Sequence, residues 1–128
     1  MGMSSSRKAN PPPLEKNFQT AFLKKLRKIP RSFWYKANDR VTIGVPDIFG
    51  CVSGVFIAIE LKTRSKVTPL QAHFLREITK AHGQSFVVSP DNADEVLKYL
   101  TKLADLTVDG PLAVTPPVDQ RYIPGTDR

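Results

Sequence analysis

A chain of 128 residues can bury one modest core, and splitting it into two independent domains would leave each half too small. Its formal charge of +7 is uneven: residues 1–40 hold ten Lys and Arg against two acids, whereas residues 104–128 hold two Arg against four Asp. The basic end therefore suits a polyanion better than a membrane or an acidic protein, and a single cysteine, Cys51, excludes an internal disulfide or a cysteine-built zinc cluster.

No apolar run approaches the roughly 18 residues of a membrane span, and the N-terminus lacks the apolar stretch of a secretory signal. A soluble, cytoplasmic chain is expected. Residues 1–13, rich in Ser, Lys and Pro, read as a flexible leader. From residue 14 the spacing of Leu14, Phe18, Ala21, Phe22, Leu26 and Ile29 predicts a helix that Pro30 ends. Residues 32–37 read as a short aromatic strand.

Residues 47–52 and 55–62 are two apolar strands joined by Ser53-Gly54, a pair suited to a two-residue hairpin loop, with Cys51 expected as a small buried hydrophobe. A second helix follows, with Thr68 as N-cap, Pro69 at its first position and Gly83 as its stop. Residues 84–89 predict a further strand and residues 91–103 a capped amphipathic helix, giving the order α-β-β-β-α-β-α. Residues 104–128, with four prolines and little periodicity, read as an extended or disordered tail.

The hairpin register puts two acids side by side. With Val52 opposite Val55, continuing outward sets Asp47 opposite Glu60, where like charges are destabilising unless neutralised. Period two places Phe56, Ala58, Glu60 and Lys62 on one strand face, so Lys62 flanks both acids. In the first helix Glu15 falls about 100° round from Leu14, among Phe18, Phe22 and Leu26, where a carboxylate needs a partner. Taken singly, these residues have ordinary readings. Glu60 and Lys62 could be a surface ion pair, Glu15 a helix-end charge, and Gln71 half of a capping box in "TPLQ". Their convergence favours a site of hard oxygen ligands, which suits Mg²⁺ or Mn²⁺ rather than zinc. His73 and His82 do not share a helix face as a metal pair would, and read as surface residues. A phosphodiester of nucleic acid is the natural substrate beside so basic a chain.

The motifs "GVPD" at 44–47, "IELK" at 59–62 and "TPLQ" at 68–71, after a glutamate early in the first helix, together resemble the PD-(D/E)XK nuclease superfamily. Within it, residues 14–103 look like the virus-type replication-repair nuclease (VRR-NUC) branch. The resemblance implies an α/β, restriction-endonuclease-like αβββαβ core with a central mixed sheet flanked by helices. It implies Asp47 and Glu60 as metal ligands helped by the Leu61 carbonyl, Lys62 as catalytic lysine, Glu15 as the first-helix acid completing the metal set, and Gln71 as the glutamine after the E-x-K strand. Gly44 and Pro46 are expected to shape the loop delivering Asp47.

By the same resemblance the activity is Mg²⁺- or Mn²⁺-dependent DNA cleavage, and small stand-alone members are similar to Holliday-junction resolvases that act as homodimers. Arg31, Lys36, Arg40, Arg64 and Lys66 are the expected phosphate contacts, while the cations of residues 24–28 could equally be a solvated helix face. Two other readings remain: a nucleic-acid-binding accessory module on a decayed nuclease scaffold, and a restriction-type endonuclease.

Overall fold

The structure, a computed structural model, describes residues 13–38 and 41–106. Their elements run α1 (Pro13–Leu26), β1 (Ser32–Lys36), β2 (Ile48–Val52), β3 (Val55–Leu61), α2 (Pro69–Lys80), β4 (Gln84–Val88) and α3 (Ala93–Asp105). The strands form one mixed sheet in the order β1-β2-β3-β4. β1, β2 and β3 are antiparallel neighbours, while β4 lies parallel to β3 and so needs α2 as its crossover. The chain is an α/β protein whose sheet is flanked by helices. No helix among the described residues is long and apolar enough to cross a membrane. Most of the proposed leader, together with residues 107–128 of the proposed tail, lies outside the described residues.

Ser53 and Gly54 close the β2–β3 hairpin at φ 49° and 87°, the positive values a type I′ loop requires. Val52 consequently pairs with Val55 and Cys51 with Phe56, as the loop length predicts. One sheet face carries Trp34, Ile48, Val52, Ile57 and Ile59, which pack with Phe22 and Leu26 of α1 and Leu100 and Ala104 of α3. Burial of each large side chain there stabilises the fold by about 1.5–3 kcal/mol. Gly50 is required within this layer, because a Cβ would collide with the Trp34 indole and with the Phe33 carbonyl oxygen. The opposite face is covered over β4 by α2, whose Leu75 carbonyl accepts from Ser85 Oγ at 2.9 Å.

Several element ends differ from the sequence expectation. α1 stops at Leu26 rather than Ile29, since Pro30 turns the residue before it away from helical geometry. The chain tightens there, with Lys28 and Ile29 donating to the carbonyls of Lys25 and Leu26, and Ile29 stays buried. After α2 it is His82, at φ 74°, that adopts the left-handed conformation expected of Gly83. Gly83 is small for another reason: a Cβ there would meet Ile78 Cγ2 at 2.8 Å. α3 continues to Asp105, past the predicted start of the tail, because Ala104 is buried against the core. The N-terminus of α3 has no side-chain cap. Asn92 instead accepts from the Ser89 N–H and donates to the Val87 carbonyl, tying the helix start to β4. Cys51 is half-buried rather than buried, and both histidines are exposed as expected.

Candidate functional site

The free ends of β2 and β3 meet where the hairpin register runs out. The ladder pairs Ile48 with Ile59, so the next pair outward is Asp47 and Glu60. On the other side the Ala37 N–H donates to the Asp47 carbonyl at 2.9 Å, giving a row Ala37–Asp47–Glu60 across the sheet. Gly44 and Pro46 set the approach to this row, as expected. Gly44 sits at φ +94° with α2 so close that a Cβ would stand 2.9 Å from the Leu70 carbonyl oxygen, and Pro46 is fully buried.

The two carboxylates are unequally served. Asp47 Oδ2 accepts the Leu61 N–H at 2.7 Å. Because a strand residue's N–H and C=O leave on the same side, the Leu61 carbonyl is directed toward Asp47 as well. Glu60 is the single charged residue counted as buried among those described, 3% exposed, and its Oε1 has no hydrogen-bond partner there. Its Oε2 lies 3.5 Å from Lys62 Nζ. Burial, followed by the neighbouring Asp47 charge, raises the Glu60 carboxyl to about 7 against the partial relief that Lys62 gives. Asp47 is also raised, chiefly by burial, with the Leu61 N–H, Lys62 and Lys36 opposing the shift.

Glu15 reaches this strand end from α1. Thr63 Oγ1 donates to its Oε1 at 3.3 Å, and its charge acts on both Asp47 and Glu60. Thr63 had no sequence signal; only the meeting of Glu15 with the segment after β3 in the folded chain reveals it. Asp47, Glu60 and Lys62 thus come together as the hairpin register and the strand period predict, whereas Glu15 approaches from α1 and acts on the pair through its charge without joining it as a third close carboxylate. Among the described residues no three His, Cys, Asp or Glu side chains are grouped so that they could hold an ion together. Two carboxylates and the Leu61 carbonyl are the oxygens nearest to such a role. They are hard donors, Glu60 Oε1 is unpartnered, and Mg²⁺ characteristically keeps several waters on few carboxylates, so the donor set fits that ion.

Gln71 forms the capping box its spacing predicts: its N–H donates to Thr68 Oγ1 at 3.2 Å and its Oε1 accepts the Thr68 N–H at 2.9 Å. Its side-chain oxygen is therefore committed to the start of α2. Lys36 is close enough to lower the Asp47 carboxyl, and it lines a recess of about 300 Å³ with Lys24 and Arg27 of α1. Two of the cations whose role the sequence left open thus border a basic recess together with Lys36. Arg64 and Lys66 are exposed in the segment after Lys62, and Arg40 lies outside the described residues. Arg31 does not belong with them. It precedes β1 at the end of the sheet remote from Asp47, where its guanidinium donates to the Ala104 carbonyl at 2.9 Å and to Asp105 at 3.2 Å.

No protein-family model matches this sequence, and no curated protein matches it.

Proposed function

We propose that the chain is a Mg²⁺- or Mn²⁺-dependent nuclease that hydrolyses phosphodiester bonds in DNA, with a PD-(D/E)XK-type site of Asp47, Glu60 and Lys62. The observation that carries this reading is the buried, half-unsatisfied Glu60 facing Asp47 at the open end of a hairpin, in a chain of net charge +7. A buried acid beside a half-buried one is an expensive arrangement for a purely structural strand end, and a divalent cation supplies the missing charge.

Asp47, Glu60 and the Leu61 carbonyl would hold the ion. When bound, it supplies Lewis-acid polarisation of the phosphate and lowers the pKa of water. The protein's own groups do the rest. Lys62 presents its ammonium on the Glu60 side of the pair, where it stabilises charge developing on the phosphate oxygens. Glu15, held by Thr63, adds negative charge that strengthens cation binding and orients water from the α1 side. Lys36, Lys24 and Arg27 attract the flanking phosphates, and Arg64 and Lys66 do so beyond Lys62.

Branched or Holliday-junction-like DNA is the proposed substrate in replication, recombination or repair, cut by a two-fold homodimer because one chain carries one site. The test is a panel of end-labelled duplexes, single strands, flaps and four-way junctions incubated with Mg²⁺, Mn²⁺ or chelator. Cation-dependent cleavage of the branched members is expected. Tight binding without cleavage in either cation would instead identify the accessory module.

A further inference from the structure

The β1–β2 half of the sheet face bearing Asp47 and Glu60 has a distinct chemistry. The register sets Tyr35 beside Phe49 and Phe33 beside Cys51, which in turn faces Phe56. Phe49 and Phe56 stack with centroids 5.6 Å apart, and Phe33 and Tyr35 are exposed, Tyr35 by 58%. The aromatic rows lie directly behind Ala37–Asp47–Glu60. Where the two meet, a hollow of about 370 Å³ is lined by Tyr35, Ala37, Asn38, Val45 and Phe49. Two of its walls are aromatic rings, one residue offers an amide, and none of these residues is charged. Mostly apolar walls with a few polar groups are what a small planar ligand requires. Ala37 joins the hollow to the site through its N–H bond to the Asp47 carbonyl.

We propose that this hollow stacks an unpaired nucleobase next to the phosphate presented to Asp47 and Glu60, so that DNA with single-stranded nucleotides at the cut is the substrate class. The inference rests on the nuclease reading above. Tyr35 and Phe49 take the faces of the base, and the Asn38 amide, both donor and acceptor, is placed to meet its edge. A base inside continuous duplex has both faces covered by its neighbours, so only an unpaired one can enter. Stacking of this kind tolerates any base, because each offers a π-face. Charge argues for this occupant, because a chain of net charge +7 draws a nucleic acid strand to its surface and the uncharged, ring-lined hollow leaves the base to be held by stacking.

The test is binding in chelator, where no cleavage is expected, read by fluorescence anisotropy with three labelled probes. These are a single strand, the same strand with abasic positions, and a blunt duplex. Tyr35→Ala should bind the base-bearing strand about 5- to 100-fold more weakly and leave the abasic strand and duplex at parental affinity, while Tyr35→Phe restores the loss. An equal loss on the abasic strand, or no loss at all, overturns the inference. So does a parental dimer in sedimentation velocity that Tyr35→Ala dissociates, since a second copy then covers the face. A parental protein that binds none of the probes also overturns the inference, and if it leaves the branched DNA of the cleavage panel uncut as well, the nuclease reading falls with it. One that binds the base-bearing and abasic strands alike removes only the stacked base.

Discussion

Asp47 and Glu60 oppose each other across the β2–β3 hairpin, yet only Asp47 has a backbone donor: the Leu61 N–H reaches Asp47 Oδ2 at 2.7 Å, while Glu60 Oε1 is buried without a partner. The pair is therefore under electrostatic stress that a proton or a cation relieves.

That stress fixes the sign of the pH dependence. The Glu60 carboxyl titrates near 7 when folded and at the ordinary 4.5 when unfolded, so the folded state binds the proton more tightly. In chelator, stability should be highest below about pH 4.5 as far as Glu60 is concerned, and should fall as pH rises to 7, by up to about 3 kcal/mol. Mn²⁺ competes with that proton. The rise in Tm on adding Mn²⁺ should therefore be small at pH 5 and larger at pH 8, as thermal melts across this range will show.

Asp47→Asn removes the charge facing Glu60 and keeps an oxygen for the Leu61 N–H. In chelator its Tm should equal or exceed the parent's, whereas Asp47→Ala, which orphans that N–H, should lose about 1–3 kcal/mol. A clear loss in Asp47→Asn would make Asp47 a structural residue.

Glu15→Gln keeps the shape of the side chain and an acceptor for Thr63. With Glu15 in the site, the variant should need more Mn²⁺ for half-maximal cleavage. With Glu15 acting only on the helix end, the change costs about 0.3–1 kcal/mol of stability and the Mn²⁺ curve is unchanged.

Phosphate tracking is read from salt. The slope of log affinity against log salt for duplex DNA should become shallower by about 0.9 per contact removed. Lys24→Gln with Arg27→Gln should flatten it by up to about two such steps. Arg31→Gln, whose cation is engaged at the opposite end of the sheet, should leave it unchanged.

The sequence was most legible where local geometry decides. A two-residue loop set the β2–β3 register and with it the meeting of Asp47 and Glu60, and the capping box at Thr68 and Gln71 formed as spacing required. Position alone misled where a side chain's direction depends on distant partners. Arg31, next to a strand end, is expected among the phosphate contacts, but Ala104 and Asp105, more than seventy residues away, hold it elsewhere. The expected cap of α3 failed for a similar reason, since Asn92 is drawn to β4. The basic recess and the aromatic hollow were invisible because each is made by elements that meet only in the folded chain.

The most direct measurement is the single-turnover cleavage rate of one end-labelled branched DNA by the parent and by Asp47→Asn, Glu60→Gln and Lys62→Met, each first shown to be folded by its melting curve. Cleavage by the parent that requires Mg²⁺ or Mn²⁺ and falls at least about 100-fold in every variant is the predicted result. Parental cutting that persists in chelator, or folded variants that cut as fast as the parent, would contradict the assignment of this site.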